Sequence, residues 1–210
     1  MTVVVVAGFV VVVVGFAVVV VVGFFVVVVG FAVVVVVCLQ EYGSDYFVRQ
    51  KISAGELFRI DKGIYSETEY VPELALVCYK YPNAVVTLNT AFYLYDLTDE
   101  IPDEHYLATK REAAPISDKR VKQIFMPKDL LAIGKTTFEE KGFPIPVFDR
   151  ERMLIELIRY KSKLSFNYYK EIIGNYRRIL PQLDPEKIRD YAEIMPKRDM
   201  IIRTLQMEVF

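Results

Sequence analysis

Two carboxylates one residue apart, Asp149 and Glu151 in "VFDRERMLIELIR", are the groups of this chain best suited to bond-breaking chemistry. Paired hard oxygen ligands can hold a divalent cation that activates water, the chemistry of a metal-dependent nuclease. The same pair has a simpler use at a strand-to-helix turn. There Asp149 would cap the helix and Glu151 would complement its dipole, and capping is the expected role because no lysine follows at nuclease spacing. His105, the single histidine, excludes the common multi-histidine metal sites and is expected to be structural on a strand. Cys38 and Cys78 offer neither a disulfide framework nor metal-ligand spacing, which fits a reducing cytoplasm. Phosphate-binding loops, glycine-rich dinucleotide turns and nucleophile–base pairs are absent from the sequence. The expectation is a non-enzyme with no catalytic residue, metal or cofactor.

A second set of residues could act without breaking bonds. In "EYGSDYFVRQKISAGELFRIDKGIYSE", Ser44 reads as an N-cap and Ala54-Gly55 as a C-terminal stop. The helix between them is expected to turn Phe47, Val48 and Ile52 inward and Tyr46, Arg49, Gln50 and Ser53 outward. Residues 56–60 read as a short strand, Asp61-Lys62-Gly63 as a tight turn and Ile64-Tyr65 as the start of a return strand. A helix followed by a hairpin with basic residues on both arms is the second half of a winged helix. Tyr46, Arg49, Gln50 and Lys51 would then face the major groove or its phosphates, with Arg59 and Lys62 on phosphates from the wing. Gly63 would permit the turn, and Tyr65 would pack the wing onto the body. Any small helix–hairpin unit shares this pattern, so spacing alone leaves DNA binding open.

The residues also carry a family likeness. "GELFRIDKGIY" resembles the wing signature of AbiEi-type antitoxins, the regulatory halves of type IV toxin–antitoxin systems of abortive phage infection. "YPNAVVTLNTAFYLYDLTD", "VFDRERMLIELIR", "FNYYKEIIGNYRR" and "IIRTLQMEVF" are similar to later elements of that family, in the same order. The likeness covers residues 41–210. It implies an autoregulatory repressor that binds operator DNA upstream of its own operon. It also implies a nucleotidyltransferase toxin (AbiEii-type) as functional partner, counteracted without a stable complex, and no catalytic residue or small-molecule substrate.

Ahead of residue 41 the chain departs from that pattern. Residues 3–37 hold only Val, Gly, Phe and Ala, with Gly-Phe recurring at Gly8, Gly15, Gly23 and Gly30. All 26 Lys/Arg and all 27 Asp/Glu lie beyond residue 40. One helix over this stretch would be about 52 Å long against a hydrocarbon core of about 30 Å, too long for one span and too short for two. Three readings compete: a membrane anchor, which would tether the body as an interaction protein; a β-type repeat; and a translated nucleotide repeat standing in place of, or in front of, the natural start. Near-exclusive use of valine favours the last. Family members carry one or two helices here that complete the helix-turn-helix, and an uncharged stretch lacks the polar outer face those helices need.

The expected architecture is α+β. A low-complexity segment (1–40) precedes a partial winged-helix head (41–68) and an antitoxin body (69–210) that ends in a helical bundle. In the body, Pro72-Glu73 opens a helix with Leu74, Ala75, Val77 and Cys78 on one side, and Asn89 is expected to cap the next. "HYLAT", "RVKQIFMP" and "FPIPVF" read as strands, the prolines suggesting edges. From Arg150 the pattern is helical, with Met153, Leu154, Leu157 and Ile158 on one face, then Tyr168, Tyr169, Ile172 and Tyr176; Pro181 and Pro185 break the chain before the last helices. The acidic loop "DLTDEIPDE" reads as solvated, with a contact for a basic partner as the alternative. Two basic stretches, "TKREAAPISDKRVKQIFMPK" and the aromatic-rich "RYKSKLSFNYYKEIIGNYRR", leave a nucleic-acid surface and an amphipathic helix pair both open. A net charge of −1 supplies no global attraction to nucleic acid or lipid.

Overall fold

Valine runs with two-residue interruptions favour extended chain, because branching at Cβ restricts helical rotamers and suits a pleated surface. A computed structural model of the protein describes residues 2–6, 9–14, 17–22, 25–29, 45–61 and 64–210. In it the valine repeat forms strands β1 (Thr2–Val6), β2 (Phe9–Val14), β3 (Ala17–Val22) and β4 (Phe25–Val29), an antiparallel meander in sequence order. Among the described residues no helix is long and apolar enough to cross a membrane.

The rest of the chain is mixed α and β. After α1 (Asp45–Ser53) come the strands β5 (Phe58–Asp61) and β6 (Ile64–Ser66), then α2 (Glu73–Lys80), β7 (Val85–Val86), α3 (Leu88–Leu94) and β8 (His105–Lys110). Next are β9 (Val121–Met126), α4 (Lys128–Ala132), β10 (Lys135–Glu140) and β11 (Phe143–Phe148). Four helices close the chain: α5 (Arg150–Tyr160), α6 (Phe166–Ile179), α7 (Pro185–Ile194) and α8 (Arg198–Glu208). Two compact units result, residues 1–75 with 139–143, and residues 76–138 with 144–210.

A five-stranded sheet has the order β10-β11-β7-β8-β9. β8 and β9 run parallel from His105↔Val121 to Lys110↔Met126. Parallel neighbours need a crossover, usually a helix. Here residues 111–120 make it without one, and Gln123 does the tying: its Oε1 accepts from the Ile116 amide at 2.8 Å, and its Nε2 donates to Thr109 Oγ1 at 2.8 Å and to the Ala114 carbonyl at 3.2 Å. β10 was not foreseen in the sequence, since "KTTFEE" has no apolar alternation. Nor is β11 an edge, despite Pro144 and Pro146. It lies between β10 and β7, but β7 pairs with it only at Val147↔Val86, so that pairing asks nothing of the proline nitrogens.

Helix α3 starts earlier than expected. Its N-cap is Thr87, with extended backbone, rather than Asn89. Leu88 takes φ +45, a left-handed geometry that costs about 1–2 kcal/mol for a residue with a Cβ. Burial of Leu88 to 3% exposure and a 3.0 Å bond from the Thr87 amide to the Tyr106 carbonyl hold it there. Pro185 does not break the chain but opens α7. Its ring suits the first helical position, and the Asp184 side chain caps the amides of Glu186 and Lys187.

Helix α5 departs most from its sequence pattern. Its expected face, Met153, Leu154, Leu157 and Ile158, is buried, but so is every other residue from Glu151 to Ile158. Arg152 and Glu156 are 0% and 1% exposed at their side chains and meet at 2.5 Å. Arg159 closes on the same carboxylate at 2.7 and 2.9 Å. The Arg152 guanidinium donates to Met195 Sδ at 2.7 Å and lies 5.2 Å from the Phe148 ring centroid. Its Nε has no hydrogen-bond partner among the described residues. Burial lowers the pKa of Arg152, and Glu156 opposes that shift. Gly134, at φ +70, passes so close that a Cβ there would meet Arg152 Cβ at 2.7 Å.

Glu156→Ala strands two guanidinium groups and is expected to cost about 3–5 kcal/mol in urea unfolding. Replacing Arg152 and Glu156 together by Met and Leu should cost far less, and an equal loss in both variants would show that the pair is not acting as a unit. At the surface, burial would raise the Glu208 pKa, but hydrogen bonds from Lys161 and Tyr169 outweigh it and hold the group below its ordinary 4.5. Folding therefore favours the carboxylate, and the stability it adds is present above pH 4.5 and lost as pH falls through the lower folded value. Glu208→Gln should flatten the acid limb of a thermal-melting series.

Candidate nucleic-acid interface

The local sequence sets where α1 ends. Gly55 takes φ +73, which L side chains resist, and the chain closes a Schellman pair of bonds. The Glu56 amide bonds the Lys51 carbonyl at 2.9 Å, and the Gly55 amide bonds the Ile52 carbonyl at 3.1 Å. The expected stop at Ala54-Gly55 is therefore present. The expected cap, Ser44, lies outside the described residues.

Tyr46, Arg49, Gln50 and Ser53 are exposed on α1, as their spacing predicted. Of the three residues expected inward, only Val48 is buried, at 1% exposure. Phe47 is 53% exposed and Ile52 37%. Phe47 stays outside for a geometric reason. Nine residues at 100° apart bury only a narrow stripe here, and Phe47, one step round from Val48, falls beside it. Its ring instead meets Tyr46 edge-on, with centroids 5.7 Å apart. Lys51 is not a plain groove-facing cation, because its ammonium pairs with Glu56 at 2.9 Å across the helix end.

The hairpin forms where expected. Phe58↔Ser66, Arg59↔Tyr65 and Asp61↔Ile64 pair antiparallel, with a bulge between Arg59 and Asp61 that twists the ribbon. Arg59 is exposed, directly across from half-buried Tyr65. Lys62 and Gly63, the expected phosphate contact and turn glycine, lie outside the described residues. α1 and the hairpin thus bring Tyr46, Arg49, Gln50 and Arg59 to the surface of one unit within fourteen residues of chain.

The second basic stretch resolves toward an amphipathic helix. Tyr168, Tyr169 and Tyr176 are buried, and their hydroxyls are held well above their ordinary range, chiefly by burial. Three of its cations bond neighbours: Lys161 pairs with Glu208, Arg177 Nε donates to the Glu208 carbonyl at 2.7 Å and Arg178 to Asn175 at 3.0 Å. A surface groove of about 550 Å³ beside α6 carries both signs of charge, with Lys170 and Arg178 facing Asp99 and Glu171. It does not favour an anionic ligand.

Of the two carboxylates, Asp149 caps α5 and Glu151 ties its first turn to Asp184. Asp149 Oδ1 accepts from the Arg152 amide at 2.8 Å, and Oδ2 from the Tyr191 hydroxyl at 2.9 Å. Burial raises the Asp149 pKa, partly offset by these two bonds. Glu151, 9% exposed, accepts from the Asp184 amide at 3.0 Å. Two more tyrosines fasten the same corner, Tyr95 to the Phe148 carbonyl at 2.8 Å and Tyr176 to the Arg150 carbonyl at 3.0 Å. Among the described residues no group of three His, Cys, Asp or Glu is arranged to hold a metal ion. His105 sits on β8, its amide donating to the Arg120 carbonyl at 2.6 Å.

No family model matches the chain, and no curated protein matches it. Among solved structures it is similar to the RV2827C protein from Mycobacterium tuberculosis, at TM-score 0.52 and 11% identity, over 80% of this chain and 68% of that one. At that identity the likeness concerns the fold alone. Because Gly55 takes φ +73, Gly55→Ala is expected to lower stability by about 1 kcal/mol although open space surrounds the site. Chemical denaturation followed by amide exchange at residues 50–58 would read the loss.

Proposed function

We propose that this chain is a non-enzymatic antitoxin and an autoregulatory repressor of a type IV toxin–antitoxin operon. It acts in the cytoplasm, on operator DNA upstream of its own genes, and counteracts a nucleotidyltransferase toxin. The observation that carries the DNA-binding reading is α1, stopped at Gly55 and followed at once by the β5–β6 hairpin, with Tyr46, Arg49, Gln50 and Arg59 exposed. Helix and hairpin act as the recognition helix and wing of a partial winged helix. Arg49 and Gln50 are residue types whose side-chain donors can read base edges, and Arg59 carries the charge for a phosphate. Lys51 contributes less, since Glu56 already neutralises it.

The antitoxin identity rests on the ordered likeness of residues 41–210 to the AbiEi-type family. The α+β body and its terminal helices, read as a bundle, accord with that role. A nuclease centred on Asp149 and Glu151 has less support, because both carboxylates are engaged in holding the start of α5. A helical membrane tether is likewise less supported, because the valine repeat is extended where it is described.

The test is fluorescence anisotropy of the full chain on DNA from upstream of its own gene, across a salt series. Preference over scrambled DNA with a steep salt slope is expected. Arg59→Ala should weaken binding to every sequence and reduce the slope by about one, whereas Gln50→Ala should cost about 1–3 kcal/mol and relax the preference. Equal, salt-insensitive binding to both DNAs would overturn the proposal.

A further inference from the structure

The valine repeat carries a property that the antitoxin reading does not use. In the meander, Thr2↔Val13 through Val6↔Phe9, Val10↔Val21 through Val14↔Ala17 and Val18↔Val29 through Val22↔Phe25 are successive antiparallel pairings of almost one sequence with itself. Each strand is five or six residues long, and each hairpin is joined by two residues. A two-residue hairpin exchanges hydrogen bonds at its closing pair and at every second pair from there. Counting back from Val6↔Phe9, Val4 and Thr2 are bonded to β2, so Val3 and Val5 turn their N–H and C=O groups away from it. The same count from Val22↔Phe25 turns Val26 and Val28 of β4 away from β3.

Among the described residues β1 and β4 are the outer strands, each with one neighbour. Folded proteins guard such edges with lysine, proline, inward charge or very short strands. None of the first three occurs in residues 1–37. What an edge accepts is set by its backbone groups and by which side chains sit beside it. β2 and β3 already accept neighbours of this sequence, so the strand that best continues the ladder beyond β1 is another strand of the same repeat. We propose that the repeat is a self-association surface whose partner is a second copy of this chain. Copies join edge to edge, β1 of one against an outer strand of the next, through the outward groups of Val3 and Val5.

The arrangement is open-ended. A β1-to-β4 contact leaves one free edge at each end, so addition continues into a filament rather than stopping at a dimer. The repeat also removes a safeguard of register. With valine at nearly every position, a slip by one residue along the strand changes little, so many alignments of two copies are close in energy.

The test uses the full chain in sedimentation velocity over a concentration series, with X-ray diffraction of aligned pellets. A fast-sedimenting fraction that grows with concentration and a reflection near 4.7 Å, the spacing of paired strands, are expected. Val3→Pro with Val5→Pro removes only outward donors and should abolish that fraction, while thermal melting of residues 45–210 stays unchanged. Val4→Pro is the control: it takes a bond from inside the β1–β2 hairpin and should loosen the meander without the same selective loss. Because proline can disturb the strand, Val3→Lys with Val5→Lys is a second variant, expected to slow assembly through charge at the edge. A full chain that stays monomeric throughout, or that leaves water for vesicles of zwitterionic lipid without pairing, overturns the proposal. So does assembly that persists undiminished in both double variants.

Discussion

One carboxylate buried between two guanidinium groups constrains the second unit. Glu156 sits 2.5 Å from Arg152 and 2.7 Å from Arg159, and all three belong to a helix whose residues from Glu151 to Ile158 are all buried. A charge in such a place is tolerated only with its counter-charges in fixed geometry. That requirement reaches outward: Met195 at the end of α7 supplies a soft acceptor, Phe148 at the end of β11 supplies a ring face, and Gly134 yields room by having no side chain. Met195, Phe148 and Gly134 thus meet what Arg152 needs, and α3, α7 and α8 all pack on that helix.

The start of α5 is fastened separately. Tyr95, Tyr176 and Tyr191 hydroxyls converge on Phe148, Arg150 and Asp149 from three different helices or their ends, and Glu151 reaches across to the α7 cap at Asp184. A cluster of shifted titratable groups often marks an active site. In this chain the shifts have a plainer source, since each group is half-buried or more and bonded to a backbone group or to a helix cap. The carboxylates that offered most for catalysis are the ones the fold employs as fasteners.

The unit that holds α1 and the hairpin works on shorter range. Nothing in its helix stop or its strand register needs a distant residue, and its exposed side chains come from a run of fourteen positions. This is why the exposure of Tyr46, Arg49, Gln50 and Ser53 was legible in the sequence. The exceptions are instructive: Lys51 was assigned to a groove, but a partner five residues on, Glu56, claims its charge. That i,i+5 pairing exists only because the Gly55 turn folds the chain back.

The sequence by itself determined what neighbours along the chain decide. The end of α1 at Gly55, the β5–β6 hairpin, the strands β8, β9 and β11, the apolar stripe of α5 and the cap at Asp149 were all legible, because turn chemistry and periodicity act within a few residues. The buried pair also left a trace, an Arg and a Glu four apart among Met, Leu and Ile, but spacing suits an exposed pair equally well. Tertiary structure decided the remainder: that β8 and β9 run parallel across a helix-free link, that a two-residue β7 puts proline-bearing β11 inside the sheet, that the helix begins at Thr87 rather than Asn89, that Phe47 stays outside, and that Arg152 goes in with its counter-charge. These outcomes depend on which distant surfaces meet. Burial is a property of the assembled neighbours, and no window of local sequence contains them.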